Sequence, residues 1–247
     1  VLDVTWKAST ATLEGTGKVH LWNKARLNAN GTVLTGEAMS CGTSLPDINL
    51  NPLGEIAAGG KKVLIEIPFD SWDKPSVPKF EQKGTLSGWN PGSDVVMEPT
   101  VALVGLTMTD PMGPWPAKYP QIMGADAEGD GKLGITGIPK NGGGYVNPPT
   151  ALSALFGSAD RVYIASRTVV QLTGKTTTCE AQEGTATAKF FDNHIIGCHV
   201  VNAAECTADQ AAFIDDSRTV YEPKAGIFTA KKLPDNATCA DVRAALP

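Results

Sequence analysis

The chain is predicted to be all-β: a single antiparallel barrel or closed sandwich of about eight to ten strands, with a few short helices, over residues 1–247. Three observations predict it. Apolar and polar residues alternate with period two in segment after segment. The sequence holds 24 Thr, a residue suited to pleated, half-buried strands. It also holds 26 Gly and 17 Pro, about one residue in six, which punctuate short strands with turns.

Lys18–Leu27 reads as a strand with Val19, Leu21, Ala25 and Leu27 on one face and Lys18, His20, Trp22, Lys24 and Arg26 on the other. Lys61–Phe69 alternates Val63, Ile65, Ile67 and Phe69 against Lys62, Leu64 and Glu66. Arg161–Gly174 puts Val162, Ile164, Val170 and Leu172 on one side. Thr185–Phe191 and Ala225–Leu233 also read as strands. Turns are expected at Asn28–Gly31, Ala57–Gly60 and Glu81–Gly84. Helix is expected in three short pieces. Pro149–Gly157 has an early proline and a glycine stop. Thr207–Asp215 opens with a Thr-x-x-Gln capping box, and Thr238–Leu246 with a Thr cap.

The middle differs. Residues 105–149 form a long Pro- and Gly-rich loop region with a short strand at Lys132–Thr136. A loop of this length in a compact chain points to function or disorder. A weak internal echo pairs Thr32–Cys41 with Val170–Cys179, each holding Leu-Thr-Gly four residues before a Cys.

The net charge is −5, with no concentrated basic face, which excludes nucleic acid as a main partner. The longest apolar stretch, Thr100–Met108, is about half what a membrane-spanning helix needs, so no transmembrane segment is expected. The chain starts at Val1, as after removal of a leader or trimming.

Five cysteines, none in a Cys-x-x-Cys pair, point to an oxidising compartment: extracellular, periplasmic or cell-surface. Cys198 and Cys206 bracket a short polar loop and are the first expected bridge. The echo makes Cys41 and Cys179 the second, with Cys239 left over.

Asp126–Thr136 carries the clearest chemistry. Carboxylates at Asp126, Glu128 and Asp130, a glycine at 131 and the carbonyl of Lys132 occupy the first, third, fifth, sixth and seventh places of a calcium-wrapping loop. The stretch resembles the calcium loops of EF-hands, dockerins and thrombospondin type-3 repeats. That resemblance implies a bound Ca²⁺ held by Asp126, Glu128, Asp130 and Lys132. Position 3 is Glu rather than Asp or Asn, and position 12 is Gly137 where an acid belongs. The missing ligand is sought at Asp110, Asp94 or water.

Catalytic signatures are absent. There is no Gly-x-Ser-x-Gly, no phosphate-binding loop and no dinucleotide fingerprint, and histidine is confined to His20, His194 and His199. If the polar strand faces point into a barrel, Trp22, Arg26, Trp115, Tyr119 and Tyr145 would line an aromatic, cationic ligand cavity or its mouth. The chain as a whole resembles exported bacterial β-rich proteins. The expected function is non-catalytic binding of a small molecule or a cell-surface partner. The alternatives are a structural or adhesive surface subunit that self-assembles, and a secreted hydrolase.

Overall fold

The computed structural model describes residues 1–8, 14–46, 65–115, 123–140, 159–201, 204–216 and 218–246. Ten strands form one antiparallel sheet. They are β1 (Leu2–Ala8), β2 (Glu14–Asn30), β3 (Val33–Ser44), β4 (Ile65–Glu66), β5 (Lys79–Leu86), β6 (Asp94–Val104), β7 (Ile135–Pro139), β8 (Ala159–Thr178), β9 (Ala181–Val200) and β10 (Thr219–Lys231). Among the described residues three short helices accompany them: α1 (Phe69–Trp72), α2 (Ala208–Asp216) and α3 (Cys239–Ala245).

Eight of the strands close a ring. They follow one another as β1-β2-β3-β5-β6-β8-β9-β10, and β10 returns to β1 through pairs from Leu2–Gly226 to Ala8–Thr219. The small β4–β7 pair branches from β8, whose residues 162–164 pair with β7 while residues 166–175 pair with β6. The all-β expectation holds, and the number of strands falls in the predicted range.

Alternation decides which face looks inward. Val19 and Leu21 of β2, Val170 and Leu172 of β8, Ala186 and Ala188 of β9 and Phe228 of β10 meet in one cluster. Leu34, Leu86, Val95 and Met97 join it through Leu172. Lower down, Val162 and Ile164 on that same face of β8 pack with Val104, Ile195 and Ile135 around Trp72 of α1. The apolar columns thus fill the two ends of the ring.

Several local expectations are corrected. Glu81–Gly84 is not a turn but part of β5, because Gly36–Gln82 and Gly84–Met97 pair it on both sides. Of Lys61–Phe69, the described residues give two strand positions, Ile65 and Glu66, before α1 begins at Phe69. The turn at Ala57–Gly60 and the helix at Pro149–Gly157 lie outside the described residues. Both remaining helices form with their capping boxes: Thr207 with Gln210, and Thr238 with Asp241.

Cys198 and Cys206 are bonded. Cys41 is bonded to Cys239, not to Cys179, which is free and exposed in the β8–β9 turn. The echo failed because the two Leu-Thr-Gly-x4-Cys segments differ in place. Cys41 lies in the body of β3, buried beneath α3, whereas Cys179 lies beyond the end of β8.

Candidate functional sites

Three places gather chemistry. The first is the acidic loop. Asp126 is its hub: Oδ1 accepts N–H bonds from Glu128, Gly129 and Asp130, and Oδ2 accepts one from Gly131 at 2.8 Å. Asp130 Oδ1 accepts from Lys132 N at 2.9 Å, and Glu128 Oε2 accepts from Thr136 N. Burial works against ionisation of Asp126, but these four backbone donors outweigh it and hold its carboxyl below the usual range. The path requires glycine at Gly131, with φ +83°, and at Gly134, with φ +105°, where a Cβ would meet Ile164 N at 2.9 Å.

The loop is bolted down at both flanks. Ala127 and Ile135 are fully buried in the lower core, and Ser76 Oγ donates to Ala127 O at 3.1 Å. Lys132 Nζ reaches Glu205 Oε1 at 2.6 Å. Tyr163, buried, hydrogen-bonds Glu205 as well. Burial first, then that bond, raise the Tyr163 phenol well above its ordinary value. For Glu205, burial opposes ionisation, but bonds from Lys132 and Tyr163 and the charges of Lys132 and His199 prevail and lower it. Asp94, one sought calcium ligand, is instead paired with Lys175 at 2.8 Å, and Asp110 Oδ1 accepts from Met112 N. Among the described residues, no three His, Cys, Asp or Glu side chains are gathered closely enough to hold an ion.

The second place is the polar face of β2. It does not line the interior, because the Val19–Leu21 side takes that role. A C-terminal strap covers it. Trp22 Nε1 donates to Leu246 O at 2.7 Å, Lys24 Nζ to Ala237 O and Arg26 NH2 to Asp235 O at 2.9 Å. Arg243 of α3 returns a fork to Asp73 and donates to Cys41 O. Trp22 and Arg26 therefore hold the strap, next to the Cys41–Cys239 bridge. Trp115 sits in a different cluster, stacked on His194 with ring centroids 4.1 Å apart. Tyr119 and Tyr145 lie outside the described residues.

Around Trp115 is a polar network with no counterpart in the sequence reading. Arg167 is 2% exposed and lies against Phe190, 4.0 Å from its centroid. It bonds Asp192 Oδ2 and the carbonyls of Pro111 and Gly113. His194 Nδ1 is 3.0 Å from Asp215 Oδ2, and its Nε2 is 3.2 Å from Arg218 NH2. A guanidinium has donors alone, so Nε2 accepts and the His194 proton sits on Nδ1. With Nε2 so engaged, His194 holds Asp215 of α2 and Arg218, just before β10, to β9.

The third place is the ring interior between its two apolar ends. On the inward column of β8, Ser166 and Thr168 separate Val162 and Ile164 from Val170 and Leu172. Asn193 lies opposite Ser166, and Phe191 opposite Thr168. Ser166, Thr168, Val170, Leu172 and Asn193 are half-buried, whereas Ala165, Arg167 and Val169 on the outward side of β8 are buried. Ala25, Leu27 and Ala29, inward by alternation from Val19 and Leu21, are exposed. Inward residues are thus only half-buried along this stretch of β8 and exposed on β2, whereas the outward side of β8 is covered. A signal for this was present in Arg161–Gly174, where two hydroxyl residues interrupt an otherwise apolar column.

Comparison of the chain with family models, with curated proteins and with solved structures finds no match.

Proposed function

We propose that the protein is an exported, non-catalytic binding protein that takes a small, mostly apolar ligand into the ring. The observation that carries the reading is the half-buried inward column of β8 together with the exposed inward residues of β2. Side chains facing the inside of a closed ring are normally buried by one another, and partial exposure there leaves room for a guest. Export agrees with two disulfides, which form and persist in oxidising compartments. No helix among the described residues is long and apolar enough to cross a membrane.

The test is titration of the purified chain with diphenylhexatriene, a hydrocarbon dye that fluoresces when shielded from water. Saturable uptake near one dye per chain is expected, together with loss of uptake in Ala25→Trp and Leu27→Trp, which crowd the inward side of β2. Absence of saturable uptake overturns the reading.

The acidic loop supports a second property, binding of one Ca²⁺. Backbone bonds engage one oxygen of Glu128 and one of Asp130, so the other oxygen of each lies outside those bonds. Asp126 Oδ2 takes a single N–H and keeps a lone pair. These carboxylates are not gathered as they stand; drawn together around an ion, their oxygens, the Lys132 carbonyl and water would make an all-oxygen set of the kind calcium prefers. The missing acid at Gly137 places the affinity at about 10⁻⁴ to 10⁻³ M, the extracellular range. The test is isothermal titration with CaCl₂, and a flat trace at millimolar calcium removes this part of the proposal.

A further inference from the structure

One hairpin tip sets an asparagine side chain against a bare backbone nitrogen. β2 and β3 are joined through Asn30, Gly31, Thr32 and Val33, with Asn30 opposite Val33 at the last pair of the ladder. All four residues are exposed. Gly31 has φ +61° and open space where a Cβ would stand. Its N–H donates to no acceptor among the described residues. The far side of the turn is held, since Thr32 O accepts from Leu86 N at 2.8 Å.

These are the requirements of one reaction. The main-chain nitrogen after an asparagine attacks its side-chain amide when that nitrogen is unbonded, unshielded by a side chain and open to water. The other asparagines among the described residues each lack a requirement. Asn90 precedes Pro91, which has no N–H. Ala237 N, after Asn236, donates to Pro234 O at 2.9 Å. Asn23, Asn28 and Asn193 lie within ladders and precede Lys24, Ala29 and His194. Asp130-Gly131 is the closest comparison, because an aspartate closes the same imide with loss of water. Gly131 also has a positive φ, +83°, and open space, but its nitrogen donates to Asp126 Oδ2 at 2.8 Å. The bond on the nitrogen, not the room around it, separates the two glycines.

We propose that Asn30 is a site of spontaneous succinimide formation in the folded chain, converted to aspartate and isoaspartate with water as the only co-reactant. Gly31 N bonds to Asn30 Cγ and the Cγ–Nδ2 bond breaks. The displaced amide nitrogen leaves as ammonia, carrying the proton that Gly31 N gives up. The five-membered imide then takes one water. Opening at Cγ leaves aspartate at position 30. Opening at the main-chain carbonyl leaves isoaspartate, whose link to Gly31 runs through Cβ and Cγ and is longer by one atom. Either product adds a negative charge at the hairpin tip. The imide cannot close while Asn30 keeps its extended strand geometry, so Asn30 must first part from Val33. Its place at the end of the ladder makes that opening local, with no other pair of the sheet broken.

The experiment incubates the purified full chain in mildly alkaline buffer made with ¹⁸O-labelled water. Peptide mapping by mass spectrometry then locates the label, and an isoaspartyl methyltransferase counts the isoaspartate. Asn30 is expected to convert ahead of Asn23, Asn28, Asn193 and Asn236 and ahead of isomerisation at Asp130. Its rate should rise with pH, because the attacking nitrogen must lose its proton. Gly31→Ala shields that nitrogen and strains the positive φ, and it should abolish the conversion. The ranking within wild type needs no variant and decides the matter if Gly31→Ala fails to fold. Label confined to Asn141, which also precedes a glycine, or an Asn30 no faster than Asn28 or Asn236, would overturn the proposal. So would conversion of Asn30 in urea alone, since the fold would then shield the turn.

Discussion

Lys132 Nζ stands 2.6 Å from Glu205 Oε1, and this contact joins the acidic loop to the loop closed by Cys198–Cys206. The contact makes the loop's position sensitive to acid. The Glu205 and Asp126 carboxyls are both held below their ordinary values. A depressed carboxyl contributes stability that is fully present above its unfolded value, about 4.3 for Glu and 3.9 for Asp, and is lost as pH falls through the folded value. The thermal midpoint should therefore fall as pH drops from about 4.5 toward 2, and less steeply in Glu205→Gln. Tyr163 works with the opposite sign. Its raised phenol contributes stability below about pH 10 that is lost at higher pH, so Tyr163→Phe should flatten the alkaline side. Melting curves across the pH range check both limbs.

Calcium should raise the midpoint of the wild type and leave Asp126→Ala with Asp130→Ala indifferent. At a hundredfold excess over Kd the gain is about 2.7 kcal/mol, as for any ligand that binds the folded form alone. Mg²⁺ should substitute poorly, because it demands a tighter octahedron than a glycine-rich loop supplies. Unfolding scans in EDTA, CaCl₂ and MgCl₂ make the comparison.

The two disulfides should differ in worth. Cys41–Cys239 spans 198 residues and Cys198–Cys206 spans 8. On the chain-entropy account the long bridge contributes about 5 kcal/mol and the short one about 2.5 kcal/mol. Paired Cys→Ser variants compared by urea unfolding should keep that order. Non-reducing peptide mapping after alkylation should find Cys179 as the single labelled cysteine.

Asp192→Ala should cost about 3 kcal/mol, because it strands the guanidinium of Arg167, which is 2% exposed. Removing both charges with Arg167→Met and Asp192→Ala should cost less than Asp192→Ala alone. A urea-unfolding cycle on the four proteins gives the coupling directly.

The legible and illegible parts of the chain separate on physical grounds. Period-two alternation exposes which residues share a face, so the columns of β2 and β8 were readable at Val19, Leu21, Val162 and Leu172. Alternation alone does not say which face turns inward. For β2 that choice comes from partners on β8, β9 and β10, more than 140 positions away in sequence, so a cavity role for Trp22 and Arg26 is legible only as conditional on their face turning inward. The capping boxes at Thr207 and Thr238 were readable because their partners lie three residues on. Arg167 was not, since its partners are the carbonyls of Pro111 and Gly113 and a carboxylate across the ladder. The Cys198–Cys206 bridge is local and was found. The Cys41–Cys239 bridge depends on where the strap lies.

The ring closes where its first strand meets its last, with the Val1 amino group donating to Ile227 O at 2.8 Å. A chain made from β1 onward cannot form that seam until β10 has been delivered. Until then β1 and the later-made β9 each carry an unpaired flank, the kind of edge that recruits strands from other molecules. Closure is thus a late, all-at-once event, and its long sequence separation makes for slow maturation. Holding the earlier strands apart from other chains until β10 arrives would suit this topology better than folding strand by strand from β1.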